Sequence, residues 1–319
     1  MHFASPARFA AIKSFGAYRP SRIVTNDDLA LQVDTSDEWI SSRVGIRERR
    51  FAEPDETAVS MAVAAGRDAI ERAGIDPTEL DLVLVASCTL PTQLPSAAPQ
   101  VAHLLGVKSP AAFDINAACA GFCYGIGQAS QAIQTGAATT ALVIGVEKFT
   151  DWVDPTDRST YIIFADGAGA AVVGTSPEQR IATTVAGSAG DRPDAIVVRD
   201  RTSMIEMDGR AVFRWATTEV RDEITRICAA SGLSLRDIDV FAPHQANLRI
   251  IDSMVRALDF RDDVVVAKDV VVAGNTSAAS IPLAIRALLD AGEAHTGDKV
   301  LTIGFGAGLT FAGQVFEMP

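Results

Sequence analysis

A chain that repeats itself at half its length has few folds open to it. Residues Ala73–Val85 match Ser231–Pro243, an offset of 158, and Leu142–Gly145 match Leu301–Gly304, an offset of 159, in a chain of 319 residues. Both copies of the first match follow a long helical pattern, Thr57–Ala73 in one and Ala211–Ala230 in the other. Short strand-like runs, among them Asp81–Ala86, Ala141–Gly145, Ile238–Ala242 and Lys299–Ile303, alternate with longer amphipathic stretches, the pattern of an α/β fold. The chain reads as two similar β/α halves, residues 1–175 and 176–319, related by a pseudo-twofold axis. Such a pairing brings equivalent turns of the two halves face to face.

One of those turns holds a cysteine. In Asp114–Phe122 a short apolar strand runs through small residues into a helix, with Cys119 at the junction. A helix start offers unpaired N–H groups and a partial positive charge, both of which favour the nucleophilic thiolate over the thiol. A buried, inert cysteine is the plainer alternative for this position taken alone. His244 follows the strand-like run Ile238–Ala242, so it lies at a strand's exit, and Asn275 lies in a glycine-led turn before another helix. Cys119 maps onto the Gly274–Ser277 turn through the duplication. A thiol, an imidazole and an amide on three strand-to-helix turns supply a nucleophile and two hydrogen-bonding partners. Singly, His244 as a helix cap and Asn275 as a turn former are adequate readings; all three coinciding by chance is not.

Composition removes other classes. A net charge of −12 argues against a nucleic-acid partner and confines any site for an acidic partner to a local patch. Hydrophobic content of 48% and 24 glycines suit a large core with many tight turns. No apolar run approaches bilayer length, and the N-terminus lacks a basic segment followed by an apolar stretch, so no membrane partner and a cytoplasmic location are expected. Cys88, Cys123 and Cys228 fall inside apolar segments, and the cysteines lack zinc-like spacing, so no metal is expected. The run Asp166–Ala171 is glycine-rich but wrongly spaced for a dinucleotide fingerprint.

Several segments, in order, carry a resemblance. They are Asp34–Ile40 with Arg43, Gly45–Arg49, the cysteine turn, Asp154–Arg158, Phe164–Ala170, His244–Asn247, Gly274–Ser277 and the closing Gly304–Gly308. Together they resemble the thiolase superfamily and, within it, β-ketoacyl-acyl-carrier-protein synthase III, from about Ile12 to the C-terminus. Val212–Trp215 is most similar to actinobacterial members. The resemblance implies a thiolase-like fold of five layers, αβαβα, and a homodimer.

It also implies roles. Cys119 would take an acyl group from acyl-CoA, with backbone N–H groups of Cys119 and Ala307 as the oxyanion hole. Relatives often have glycine at the Ala307 position, and alanine serves provided φ there is not positive. His244 and Asn275 would hydrogen-bond the thioester carbonyl of malonyl-acyl carrier protein (malonyl-ACP) as carbon dioxide leaves. Trp39 and Arg158 match the pair that sandwiches the adenine of CoA, and Arg43 matches a nucleotide contact. Arg214, Arg249 and Arg256 resemble the patch that receives the acidic carrier, although a solvated charged face is the usual reading of such a cluster. Leu94 falls where a partner-subunit residue closes the acyl pocket, and the 189–203 loop, shorter than in many relatives, falls where a cover over the site is expected. No cofactor is implied beyond CoA thioester as substrate. Two other functions share the resemblance: a starter-unit condensing enzyme or acyltransferase of a polyketide pathway, and a silent partner subunit, which the intact cysteine argues against. A thiolase proper would need a later cysteine, and none follows Cys228.

Overall fold

The computed structural model describes residues 8–200 and 202–319, so the first seven residues of the N-terminal half and Arg201 of the 189–203 loop lie outside it. Strand runs rich in Val, Ile and Ala, buried on both faces, form the centre of two five-stranded sheets. Across the first, the order is Phe9–Tyr18, Asp166–Ser176, Thr140–Lys148, Leu82–Ala86 and Ala111–Ile115. Across the second it is Val185–Ser188, Thr310–Glu317, Lys299–Gly306, Val240–Pro243 and Val265–Val266. In both, the first two junctions are antiparallel and the last two parallel. The repeat seen in sequence is therefore a repeat of topology, and its matched segments are equivalent strands.

Five layers follow from which helices can bury which faces. The helices Gly121–Thr135 and Ser280–Ala291 lie between the sheets and touch both. Helices Ala58–Ala73 and Ala97–Leu105 cover the outer face of the first sheet, and Arg221–Ala230 packs on the outside of the second. The Ala58–Ala73 helix shows why. Its buried residues Ala58, Met61, Ala62, Ala65, Ala69 and Ile70 recur at helical spacing, a Thr57–Ser60 capping box starts it, and Gly74 in the left-handed region ends it.

Where the sequence pattern implies one helix over Ala211–Ala230, the chain forms an α-helix Gly209–Trp215, a π-helical turn Ala216–Val220 and a second α-helix Arg221–Ala230. The Thr217 and Thr218 hydroxyls bond back to Phe213 O at 2.8 Å and Arg214 O at 2.7 Å at this turn. Such competition for helix carbonyls accompanies widened turns.

The halves are joined by a reciprocal contact. The turn Ala118–Ala120, before one central helix, and the turn Ser277–Ala279, before the other, are equivalent in the repeat and pack together. Both carry a non-glycine residue at positive φ, Ala118 at 45° and Ser277 at 46°. A Cβ on Gly304 of the second half would lie 2.7 Å from Cys119 O, and one on Gly145 of the first half 2.2 Å from Ala278 O. Gly145 and Gly304 are themselves repeat equivalents, so each half has a glycine where the other half's turn enters. Substituting Gly145→Ala forces the Ser277–Ala279 turn to move, since the clash is with backbone. Overpacking of this kind costs about 1–3 kcal/mol, and urea unfolding should show a loss of that size.

Candidate active site

Both strained turns open onto a cavity of about 870 Å³ whose lining includes Cys119, His244, Asn275 and Ala307. These residues come from four separate turns and both halves. The cavity is predominantly apolar, with few convergent polar groups, as small-molecule sites are.

Each polar side chain is held from behind. His244 leaves the Val240–Pro243 strand with its N–H bonded to Ile303 O at 2.8 Å, and its Nδ1 lies 2.8 Å from Ser280 Oγ. Ser280 Oγ also accepts from Gln245 N–H at 3.2 Å. Among the hydrogen bonds of the described residues Nδ1 is the one acceptor for the Ser280 hydroxyl proton, which favours the tautomer with the proton on Nε2. Phe305 meets the ring edge-on at 5.2 Å, and burial pushes the imidazole down to about 3. His244 is thus a neutral hydrogen-bond donor.

Asn275 exchanges backbone hydrogen bonds with the chain at Ile163 and Ala165, and its Oδ1 accepts from Ser277 N–H at 2.9 Å. With the carbonyl end occupied, the amide's NH₂ is the end left for a substrate. Cys119 sits in the turn preceding the Gly121–Thr135 helix. The sequence suggests a thiolate at this helix start, but burial acts the other way and pushes the thiol up to about 12, with a Ser277 hydrogen bond lowering it in part. The resting residue is a thiol. Gly306 is extended, and its glycine identity comes from crowding: a Cβ there would lie 2.8 Å from Cys119 Sγ. Ala307, which begins the next turn, is not at positive φ, so alanine is conformationally unstrained there.

The peripheral residues are arranged less uniformly. Arg158 lies with its guanidinium 4.5 Å from the centre of the Trp39 ring, and Arg43 at 5.6 Å. A base between two planar groups needs roughly 7 Å, two stacking contacts, so here the pair stacks on itself and must part to admit one. Arg43 lines the cavity; Trp39 and Arg158 do not. Arg214 and Arg249 line the cavity too, and Arg256 is exposed two turns along the Leu248–Ala257 helix. Leu94 is outside the cavity and 88% exposed. Within the 189–203 loop, Ile196, Val197 and Val198 line the cavity, where Ile196–Val197 pairs with Glu206–Met207.

Sequence reasoning missed four residues here. Ser280 and Ser277 orient the imidazole and amide, and Arg210 adds a cation to the lining. Glu147, wholly buried at the end of a strand, accepts from Thr89 Oγ1 at 2.6 Å and Ser277 Oγ at 2.9 Å. A buried carboxylate beside a cavity could have been flagged only by knowing that the strand's end points at the cysteine turn.

Comparison with known proteins bears on all of this. Residues 113–190 match the family described as 3-oxoacyl-[acyl-carrier-protein] synthase III, and residues 228–318 match its C-terminal part. The chain is 48% identical to the mycobacterial β-ketoacyl-[acyl-carrier-protein] synthase III of Mycobacterium tuberculosis, covering 99% of this chain and 97% of that one. Among solved structures it is similar to the priming β-ketosynthase of the R1128 polyketide pathway, with a TM-score of 0.96, 42% identity and coverage of 99% and 98%. It is also similar to 3-oxoacyl-[acyl-carrier-protein] synthase III of Aquifex aeolicus, with a TM-score of 0.93, 37% identity and coverage of 97% and 100%.

The depressed imidazole has a measurable consequence. Unfolded His244 binds a proton below 6.5, and folded His244 only below about 3. Its stabilising contribution is full above 6.5 and is lost as pH falls through that window, at up to about 1.4 kcal/mol per pH unit. Urea unfolding at a series of acidic pH values should show a shallower decline for His244→Gln than for wild type. Parallel curves would mean that the imidazole charges freely in the folded chain.

Proposed function

The chain belongs to the 3-oxoacyl-[acyl-carrier-protein] synthase III family, and on that premise we propose how its residues carry out the condensation. The enzyme is a β-ketoacyl-ACP synthase III, a condensing acyltransferase of fatty-acid synthesis. The observation that carries the residue assignment is the meeting of Cys119, His244, Asn275 and Ala307 on one cavity.

Cys119 sulfur attacks the carbonyl carbon of acyl-CoA, and the N–H groups of Cys119 and Ala307 stabilise the tetrahedral oxyanion. The C–S bond to CoA breaks and CoA leaves as its thiol, carrying the equivalent of the proton that Cys119 gives up, so acyl-Cys119 remains. Malonyl-ACP then enters, and its thioester carbonyl accepts from His244 Nε2–H and the Asn275 amide. As the carboxyl group leaves as carbon dioxide, these fixed donors hold the enolate. Its carbon attacks the acyl-Cys119 carbonyl, the sulfur leaves and takes a proton from solvent to restore the thiol, and β-ketoacyl-ACP departs. Neutral His244 suits this role, because a donor is required and no charge need be buried beforehand.

Trp39, Arg43 and Arg158 receive the CoA nucleotide once the stacked pair opens, and Arg214, Arg249 and Arg256 receive the acidic carrier. The exposed Leu94 supports a homodimer in which it reaches the neighbouring subunit's acyl pocket. Four unpaired cysteines suit the reducing cytoplasm, where acyl-CoA is found. No cofactor is required beyond the CoA thioester. The likeness to a polyketide priming synthase favours one alternative, a starter-unit enzyme of a secondary pathway.

Intact-mass spectrometry after brief exposure to acetyl-, isobutyryl- and octanoyl-CoA tests the reading. One acyl adduct should form, be absent in Cys119→Ala, and be discharged by malonyl-ACP. An adduct that malonyl-ACP cannot discharge favours the alternative, and no adduct removes the nucleophile. His244→Ala and Asn275→Ala should still acylate yet condense about 10²–10³-fold more slowly.

A further inference from the structure

Among the largest wholly buried side chains of the described residues is a charged one, Arg49, on the Glu48–Phe51 strand. Its three hydrogen bonds all go to neutral oxygens. Nη1 donates to Asn26 Oδ1 at 2.7 Å and to Val24 O at 3.3 Å, and Nη2 donates to Ile162 O at 2.9 Å. No ion pair to it occurs among the described residues, and its Nε has no partner. Burial pulls the guanidinium down to about 10, which leaves it charged at neutral pH. An apolar side chain would be far easier to bury at such a position than an unpaired cation. What the cation holds in place therefore matters.

Two of its contacts lead to Asn275. Ile162 closes the short Arg158–Tyr161 helix, and the next residue, Ile163, accepts from the Asn275 N–H at 2.9 Å. The Ala165 N–H returns a bond to Asn275 O at 3.0 Å, so this segment and Asn275 form a parallel bridge at Phe164. Anchoring Ile162 anchors the segment to which Asn275 is bonded. The second contact is direct. Gly274, immediately before Asn275, lies at φ 68°, and a Cβ there would meet Arg49 Cβ at 2.9 Å and Ala165 Cβ at 2.8 Å. The stem of Arg49 is thus a wall against which the Gly274–Asn275 turn rests.

The third contact faces the other way. Asn26, which accepts from Nη1, donates to Asp37 Oδ1 and to Ile46 O, both at 2.8 Å. Asp37 opens the helix that carries Trp39, Asp37–Val44, and Ile46 lies just past its end. One planar fork therefore bridges the Trp39 side to the Asn275 side. A guanidinium can span the two, and the single nitrogen of an ammonium cannot.

We propose that Arg49 is a positioning residue for the condensing half of the reaction. It fixes the main chain that presents the Asn275 amide to the malonyl thioester carbonyl, and it does not itself line the cavity. The proposal rests on the role given to Asn275 above. Acylation uses the Cys119 thiol and the N–H groups of Cys119 and Ala307, to none of which Arg49 is bonded. The two half-reactions should therefore respond differently to its loss.

Single-turnover measurements on the full chain separate the halves. Loading of Cys119 is followed by intact mass with whichever of acetyl-, isobutyryl- or octanoyl-CoA loads fastest, and malonyl-ACP is then added to discharge the acyl-enzyme. Arg49→Lys should load within about twofold of wild type but discharge about 10-fold more slowly, because the amide is misplaced by a fraction of an ångström. Arg49→Met, which has no donor, should discharge about 10²-fold more slowly. Arg49→Lys keeps the cation, so it reports even if the methionine variant fails to fold. Adding Arg49→Lys to Asn275→Ala should slow discharge no further, since the amide it positions is gone. Equal slowing of both halves, a wild-type discharge rate in Arg49→Lys, or additive losses in the double variant would overturn the proposal. Failure of wild type to load, or a wild-type discharge rate in Asn275→Ala, would instead remove the reading on which it rests, and the proposal with it.

Discussion

Everything in this molecule depends on two turns being able to touch. The Cys119 turn of one half and the Ser277 turn of the other approach so closely that a single carbon added to Gly145 or Gly304 would collide with the opposing backbone. The contact fixes the halves against each other and sets where the Cys119 thiol stands relative to the amide of Asn275. It also requires positive φ at Ala118 and Ser277, a conformation that L-residues adopt at a cost of about 1–2 kcal/mol each. The surrounding core, continuous through the two central helices, holds that strain in place.

Around this contact the chemistry is arranged among buried and mostly apolar groups. The cysteine is a thiol and the histidine a neutral imidazole, both because burial disfavours their ions. Reactivity then comes from direction. Ser280 turns one imidazole nitrogen outward, Ser277 does the same for the amide of Asn275, and Gly306 lets the strand backbone lie against sulfur. Preorganised donors in low dielectric act on developing charge more strongly than the same groups in water. Cations appear only toward the cavity's outer part, on Arg43, Arg210, Arg214 and Arg249.

The repeat made the sheets legible, because matched segments had to become equivalent strands, and it made Cys119 and Asn275 neighbours before any coordinates. His244 was legible as the residue leaving a strand. What stayed hidden depends on third dimensions that spacing does not encode. Glu147 reads as an ordinary strand-end glutamate until its neighbours are known, and Ser277 as a turn former. The self-stacked Trp39 and Arg158 could be paired by likeness, but that the pair is closed could not. The π-helical turn at Ala216–Val220 is invisible to a pattern of apolar spacing, since both flanking helices keep their buried faces. At Cys119 the helix start is visible in sequence, whereas the burial that opposes its ionisation is not.

The reciprocal glycines also mark an asymmetry. Residue 119 of the first half corresponds to Ala278 of the second, so the repeat has two equivalent places for a thiol and this chain fills one. The turn without sulfur keeps the same strained geometry but contributes the amide, the hydroxyl and the link to Glu147. The two copies thus differ in what they carry: one turn holds the thiol, while its twin and the residue just before it hold the hydroxyl and the amide. Because each copy is shaped to admit the other, bulk added at either glycine displaces the opposite turn, and the two halves can be altered there only as a pair.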